Sequence, residues 1–542
     1  MLYINRRDAG NVKRPDGSRF LFSKYDQSSY LFKTNLYPTE DQKITFSYMD
    51  SKHKGWEPYA AKRDEMHQPD PGDIQELGWD EAWKKILVYR NQKDQSTSLG
   101  YEYSPDDNPL INLHAKLSYS KTSQNDVRGK DDDYKYGESN MGSESWVNYK
   151  NTLLDIYNIS SVQTGAIEQD VKVGFQWQKM VQNALIHNET KSDDPAYNWG
   201  YHGPNYLASG EQKMLSLYLQ DDIKLGKLTI SPSIRYDKIT NQGYGNLAPR
   251  YSRPEPIYGH DYSKKSYTGW SPRLGFFYEM SPNVAWFANI SHTWRAPRID
   301  EQYETQATST GTSRILKKEK MHALRIGNIL SFKEVLAADD SLQIRTTLFQ
   351  NKGKDEIFKR RGIMCEEKSH DSSAVCPKPI SSNRNLTGYT IQGLEIEAHY
   401  DSPYAFAGLT LSTMKGQRDN SPRDPWFPEK TWLTDVPPRK ATATLGFKIP
   451  SAHLSAGWSG IFVRRQDRSP SDNDPMAFSW GLPKVPGYSV HNLFTTWLPN
   501  GEKGPKVNLT VDNVLNKAYR PYLGEAVSGT GRDYRISISH NF

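Results

Sequence analysis

Nowhere in this 542-residue chain is there a run approaching the ~18 continuous apolar residues that cross a bilayer as a helix. Apolar residues make up only 36% of the total, below the usual globular share. Cysteine is almost missing: Cys365 and Cys376 are the only two, and they do not form a zinc-type Cys pair. No phosphate loop, Gly-x-Ser-x-Gly or His-Glu-x-x-His motif occurs, so nucleotide-driven and common hydrolytic chemistries find no support and the chain reads as a non-enzyme. The formal net charge of +6 is small for the length. With no helix-turn-helix, zinc-finger or RNA-binding motif beside it, no nucleic acid is expected as partner.

What the chain does hold is aromatic: 12% Phe, Trp and Tyr, with 33 Tyr and 14 Trp. Disordered chains are poor in such residues. A membrane barrel needs only every second residue to be apolar and sets Tyr and Trp at the two interfaces, which reconciles low hydrophobicity with many aromatics. The final ten residues show the alternation. Tyr534, Ile536, Ile538, His540 and Phe542 fall on one side of a strand, and Asp533, Arg535, Ser537, Ser539 and Asn541 on the other. An ordinary edge strand is the alternative, so recurrence along the chain decides.

It recurs. Leu394, Ile396, Ala398 and Tyr400 alternate with Glu395, Glu397 and His399; Val507, Leu509 and Val511 alternate with Asn508, Thr510 and Asp512. Two glutamates and a histidine on one face would be costly in a packed core but suit a hydrated lumen. Leu228–Tyr236 alternates too, with Pro232 as an inconsistency that a bulge would accommodate. Roughly twenty strands are expected. Tight connections, such as Ser281-Pro282-Asn283, Asp401-Ser402-Pro403 and Pro450-Ser451-Ala452, take turns with long ones at 188–210, 241–266, 298–320, 362–384, 419–435, 468–487 and 518–532. A short helix is expected near Trp79–Tyr89, with strands resuming near Ser98. The fold class predicted is all-β: a large antiparallel transmembrane β-barrel with short periplasmic turns and long extracellular loops.

Several stretches resemble one family. Tyr389-Thr390-Ile391-Gln392-Gly393-Leu394-Glu395-Ile396-Glu397-Ala398, Pro437-Pro438-Arg439-Lys440 and Val511-Asp512-Asn513-Val514-Leu515-Asn516-Lys517-Ala518-Tyr519-Arg520-Pro521-Tyr522-Leu523 are similar to the barrel of TonB-dependent outer-membrane receptors of the haem, haemoglobin and transferrin-type branch. Trp294-Arg295-Ala296-Pro297 resembles that family's aromatic-Arg-Ala-Pro box, and Tyr25-Asp26-Gln27-Ser28-Ser29-Tyr30-Leu31 an early strand of its barrel. The resemblance implies a transporter in the bacterial outer membrane for an iron-bearing ligand: haem or a haem-carrying protein, with a ferric chelate (siderophore) or a passive porin as alternatives. It implies the TonB–ExbB–ExbD system and outer-membrane lipid as partners, with haem as cargo and no intrinsic cofactor. Receptors of this kind have about 22 strands around a plug. The first residues, Met1-Leu2-Tyr3-Ile4-Asn5-Arg6-Arg7, have neither the apolar segment nor the cleavage site of a signal peptide. The expectation is therefore an N-terminally shortened barrel over 1–542, without plug and with roughly twenty of the 22 strands.

Haem iron needs an axial His or Tyr. The element with a histidine that many haem receptors carry after the box is absent here, and no His lies between Ala296 and Met321. Tyr303 would take its place by position; His260 and His370 are the other loop candidates, with His202 and Tyr258 behind them. Each has the alternative reading of a solvated loop residue. Cys365 and Cys376, close together in one polar loop, fit a disulfide formed in an oxidising compartment, with two free thiols as the alternative. Arg295, Arg439 and Arg520 are candidates to attract anionic cargo; Trp426, Trp480 and Tyr522 are candidate anchors for a carrier protein.

Overall fold

The computed structural model describes the chain apart from residues 21–22, 58–68, 129–141, 205–206, 246–260, 304–315, 360–363, 366–378, 381–382, 421–429, 434, 469–483, 523–527 and 541–542. One antiparallel sheet of 22 strands dominates, of which two, Tyr201–His202 and Thr431–Trp432, have only two residues each. The other twenty run as a meander, each paired with its neighbours in sequence. They are β1 (Leu2–Ala9), β2 (Tyr25–Leu36), β3 (Gln42–Glu57), β4 (Val88–Tyr103), β5 (Leu113–Arg128), β6 (Glu144–Thr164) and β7 (Ile167–His187). Next come β8 (Gly210–Leu225), β9 (Leu228–Gly243), β10 (Lys265–Ser281), β11 (Val284–Arg295), β12 (Glu319–Lys333), β13 (Ser341–Lys354) and β14 (Gly388–Asp401). The last are β15 (Ala405–Arg418), β16 (Lys440–Ile449), β17 (Leu454–Val463), β18 (Tyr488–Trp497), β19 (Lys506–Asp512) and β20 (Asp533–Ser539).

Short and long connections alternate without exception, as expected. Residues 165–166 and 226–227 turn the chain at one rim, whereas the longer connections 58–87, 188–209 and 296–318 join strand ends at the other. Among the described residues no ladder joins β1 to β20. The sheet nonetheless curls far enough for its ends to meet through loops. Asn516 Nδ2 donates to the Pro15 carbonyl at 2.7 Å, and the Gly531 amide to that of Lys13 at 2.9 Å.

The burial pattern is inverted relative to a water-soluble sheet. Tyr534, Ile536 and Ile538 are 69%, 68% and 70% exposed, and Leu217, Trp270, Ile290, Leu348 and Leu445 are exposed on strands further back. Directly opposed residues share a face, so the register joins these side chains into one outer band: Leu217 faces Tyr236, which faces Trp270. The opposite face carries Glu397 paired with Arg345, and His399 paired with Gln343. Large buried apolar side chains sit instead mostly at or above the long-loop rim: Trp83, Leu87, Ile186, Ile299, Tyr303, Leu433 and Val485. In lipid the outer band is the buried surface and the inner face is the wet one.

Three expectations change in detail. Strand β4 begins at Val88 rather than near Ser98, because its outer half rises above the apolar band and carries polar residues on both faces. Two short helices precede it, α1 (Pro71–Leu77) and α2 (Trp79–Ile86). Pro232 makes no bulge: the ladder to β8 lapses at Ser231 and Pro232 and resumes in the same register at Ser233–Gln220, while pairing to β10 continues through Pro232–Leu274. The alternation predicts opposite effects for adjacent substitutions. Leu409→Arg places charge against lipid and is expected to cost roughly 2–4 kcal/mol. Thr410→Arg faces the lumen and is expected to be near neutral. Denaturant titration of refolded protein, followed by heat-modifiable gel migration, measures both.

Candidate functional site

The aromatic-Arg-Ala-Pro box lies at the long-loop end of β11 and opens the 296–318 loop. Arg295 is the last residue of β11 and pairs directly with Glu319, the first of β12, so register alone sets them side by side. Its guanidinium donates to Glu319 Oε2 from Nε at 3.1 Å and to Glu301 Oε2 from Nη1 at 2.7 Å. Glu301 Oε2 also accepts the Arg298 amide at 2.8 Å, at the start of helix α3 (Ile299–Tyr303). Glu319 further accepts from the Tyr389 hydroxyl at 3.3 Å and the Ile357 amide at 3.2 Å. The cation expected to attract cargo is thus already held between two carboxylates.

Below the box, Asn241, fully buried, donates to the Pro297 carbonyl at 2.7 Å and accepts from Gln212 Nε2 at 2.8 Å. Helix α3 then lies back onto β8 and β9. Ile299 packs over Gly210, and the Tyr303 ring covers Gly243, where a Cβ would come within 2.7 Å of it. Gln302 accepts the Tyr267 hydroxyl at 2.7 Å.

Tyr303, the sequence candidate for an iron ligand, is 1% exposed and packs with Ala208, Ile299 and Tyr262. Its hydroxyl donates to the Ser263 carbonyl at 2.8 Å, and burial pushes its pKa well above the ordinary range. Asp261 orders the segment that carries Ser263: hydrogen bonds from Lys265 and Ser263 hold its carboxyl down at about 2. Because this lies below the ordinary 3.8, the stabilisation is full above that pH and is lost as pH falls through about 2.

The neighbouring loops are tied to the same place. Asn385 accepts the Lys317 amide and donates to the Asp355 carbonyl, each at 2.7 Å. Arg418, at the end of β15, grips Glu356 with two bonds of 2.7 Å and lies 4.9 Å over the Phe358 ring. Lower on the inner wall, Arg235 donates to Asp237, Ser216 and Gln176, each at 2.7 Å. Arg90 forks onto Asp126 and also reaches Glu57. The arrangement anchors long loops on a polar bore; among the described residues no acidic, His or Cys group gathers to hold a metal ion.

His260, His370, Tyr258, Trp426 and Trp480 lie outside the described residues. Cys365 lies in a two-residue strand, Met364–Cys365, paired with Pro379–Ile380; Cys376 falls outside. His202 and Tyr522 are both buried. Glu301, Glu319, Asn241 and the Arg418–Glu356 pair escaped the sequence reading, although Glu319 could have been found from the box by pairing β11 with β12.

Residues 24–514 match the family described as TonB dependent receptor-like, beta-barrel. A TonB-dependent heme receptor A of Haemophilus influenzae is 46% identical over 546 residues, spanning all of this chain and 73% of the relative. That of Haemophilus ducreyi is 44% identical over 548 residues, spanning all of this chain and 74% of its own. Among solved structures, the FrpB iron transporter from Neisseria meningitidis (F3-3 variant) superposes with TM-score 0.70 at 18% identity, covering 100% of this chain and 76% of that one. The Serratia marcescens hemophore receptor HasR, solved with its hemophore HasA and heme, gives 0.70 at 15% identity with the same coverage. Arg295→Ala would leave Glu301 and Glu319 facing one another. It is expected to cost roughly 1–3 kcal/mol locally and to speed amide hydrogen exchange across residues 299–303, with Arg295→Lys intermediate; mass-spectrometric exchange reads both.

Proposed function

This chain belongs to the TonB-dependent receptor β-barrel family, an outer-membrane family, and from that premise we propose that it is the barrel of a haem-uptake receptor. The observation that carries the reading is the similarity to TonB-dependent heme receptor A, 46% identical over the whole of this chain. Long loops capture haem, or a protein carrying it, and pass the cargo into the bore. Energy comes from the TonB–ExbB–ExbD system through a plug domain, since no motif in this chain binds a nucleotide. In this proposal residues 1–542 are barrel throughout, and the plug is a separate segment.

The box works as a hinge post in this scheme. With Arg295 neutralised by Glu301 and Glu319 and Pro297 held by Asn241, the 296–318 loop leaves the wall in a fixed direction. The loop's binding chemistry then resides beyond this anchor. Of the three sequence candidates for the axial ligand, His260 and His370 are retained, and Tyr303 is assigned to positioning the loop. An axial imidazole gives a Soret band that reports its own loss.

Haem titration of the refolded chain, followed at the Soret band, tests the reading. His260→Ala or His370→Ala is expected to shift the band and weaken binding at least ~10-fold, while Tyr303→Phe leaves the band position unchanged. Unaltered spectra and affinity in both histidine variants would remove them as ligands, and no haem binding by the unaltered chain would remove haem as cargo.

A further inference from the structure

Between β13 and β14 the chain leaves the wall and returns as a ladder of its own, Ile357–Lys359 against Asn383–Asn385, separate from the 22-stranded sheet. Two backbone positions mark its foot. Asp355 turns in the left-handed region (φ 56°), and at Gly388 (φ 156°) a Cβ would run into the Gly353 carbonyl. A two-stranded ladder standing alone is marginally stable in water. The direction this foot takes therefore depends on what holds its two sides.

On the β15 side Arg418 grips Glu356 and lies over the Phe358 ring. On the β12 side two side chains act, with different anchors. Glu319 is the first residue of β12, and its Oε2 accepts the Ile357 amide at 3.2 Å, which ties the foot to the wall. Asn385 instead reaches the 296–318 loop itself. It accepts the Lys317 amide at 2.7 Å, and donates to the Lys317 carbonyl at 3.0 Å and the Asp355 carbonyl at 2.7 Å. Both protons and the oxygen of its side-chain amide are used in this joint. Lys317 and Asn385 are 68 residues apart, so the tie runs between loops and not within one. Around the joint Leu316, Ile357, Phe358 and Leu386 are buried.

The root of the 296–318 loop is drawn closed at the same place. The Tyr267 hydroxyl lies 2.7 Å from Gln302 Oε1 and 3.2 Å from the Leu316 carbonyl. Helix α3 and the returning chain thus meet at one phenol, and the next residue, Lys317, is the one Asn385 holds. A shift at α3 reaches the foot of the neighbouring loop through Tyr267, Leu316, Lys317 and Asn385, each in contact with the next.

We infer that Asn385 is a positioning residue for cargo capture. It makes the root of the 296–318 loop and the foot at 355–359 and 383–387 move as one, so cargo engaging either loop sets the position of both. The inference rests on the receptor reading for its cargo, whereas the coupling itself does not depend on which ligand binds. Such coupling is a free energy shared by two sites and acts equally in both directions.

Amide hydrogen exchange on the refolded chain, read by mass spectrometry, tests the coupling without ligand. Tyr267→Phe removes only the hydroxyl at the root of the 296–318 loop. It is expected to speed exchange in peptides covering 355–359 and 383–387 by roughly threefold or more, and to add nothing there once Asn385→Ala is present. Asn385→Asp keeps the acceptor for the Lys317 amide and is expected to retain part of the transmission. Haem titration reads the role in capture: Asn385→Ala is expected to weaken binding about tenfold with the Soret band unmoved, because Asn385 orients the loops and ligates nothing. An effect of Tyr267→Phe on the foot that is absent, or equal with and without Asn385, would overturn the coupling. Unchanged haem affinity in Asn385→Ala, or a shifted Soret band, would overturn the positioning role. Absence of haem binding by the unaltered chain would remove the receptor reading and with it the role in capture, while the exchange result still decides the coupling.

Discussion

In hydrocarbon no water is available to satisfy a backbone amide or carbonyl, and each unpaired group costs several kcal/mol. Everything in this structure follows from that. Twenty strands pair side to side in one sheet, and once a strand is committed to both neighbours its side chains have two destinations. Alternate residues meet acyl chains and the rest meet the water of the bore. The low apolar content and the aromatic surplus are consequences, since one face in two needs to be apolar and its edges need Tyr and Trp.

The same constraint explains where ordinary packing occurs. The wall has no interior, so buried apolar side chains collect where loops fold back on the rim. Helix α3 is such a place. Ile299 and Tyr303 press onto glycines of β8 and β9, and Arg295, Glu301 and Glu319 close the structure electrostatically. A half-buried cation held by two carboxylates fixes the direction in which the 296–318 loop leaves the wall.

Much of this was legible in the residues, for physical reasons that also mark the limits. The alternation of Tyr534, Ile536 and Ile538 and the sequence of tight and extended connections follow directly from strand periodicity and turn chemistry. The upper half of β4 was not legible, because above the lipid Arg90, Asn91, Gln92, Lys93, Asp94 and Gln95 are wet on both sides and no apolar period survives. The surroundings of Tyr303 were not legible from its position after the box: only the fold shows that its ring covers Gly243 and that its hydroxyl donates to the Ser263 carbonyl.

The central claim is that successive residues of one strand sit in lipid and in water by turns. Single fluorescent probes placed one at a time along 407–413 of β15, in bilayers containing a lipid-borne quencher, test it directly. Strong quenching at 407, 409 and 411 with weak quenching at 408, 410 and 412 is the predicted pattern. Uniform quenching, or quenching that follows a helical period, would contradict it.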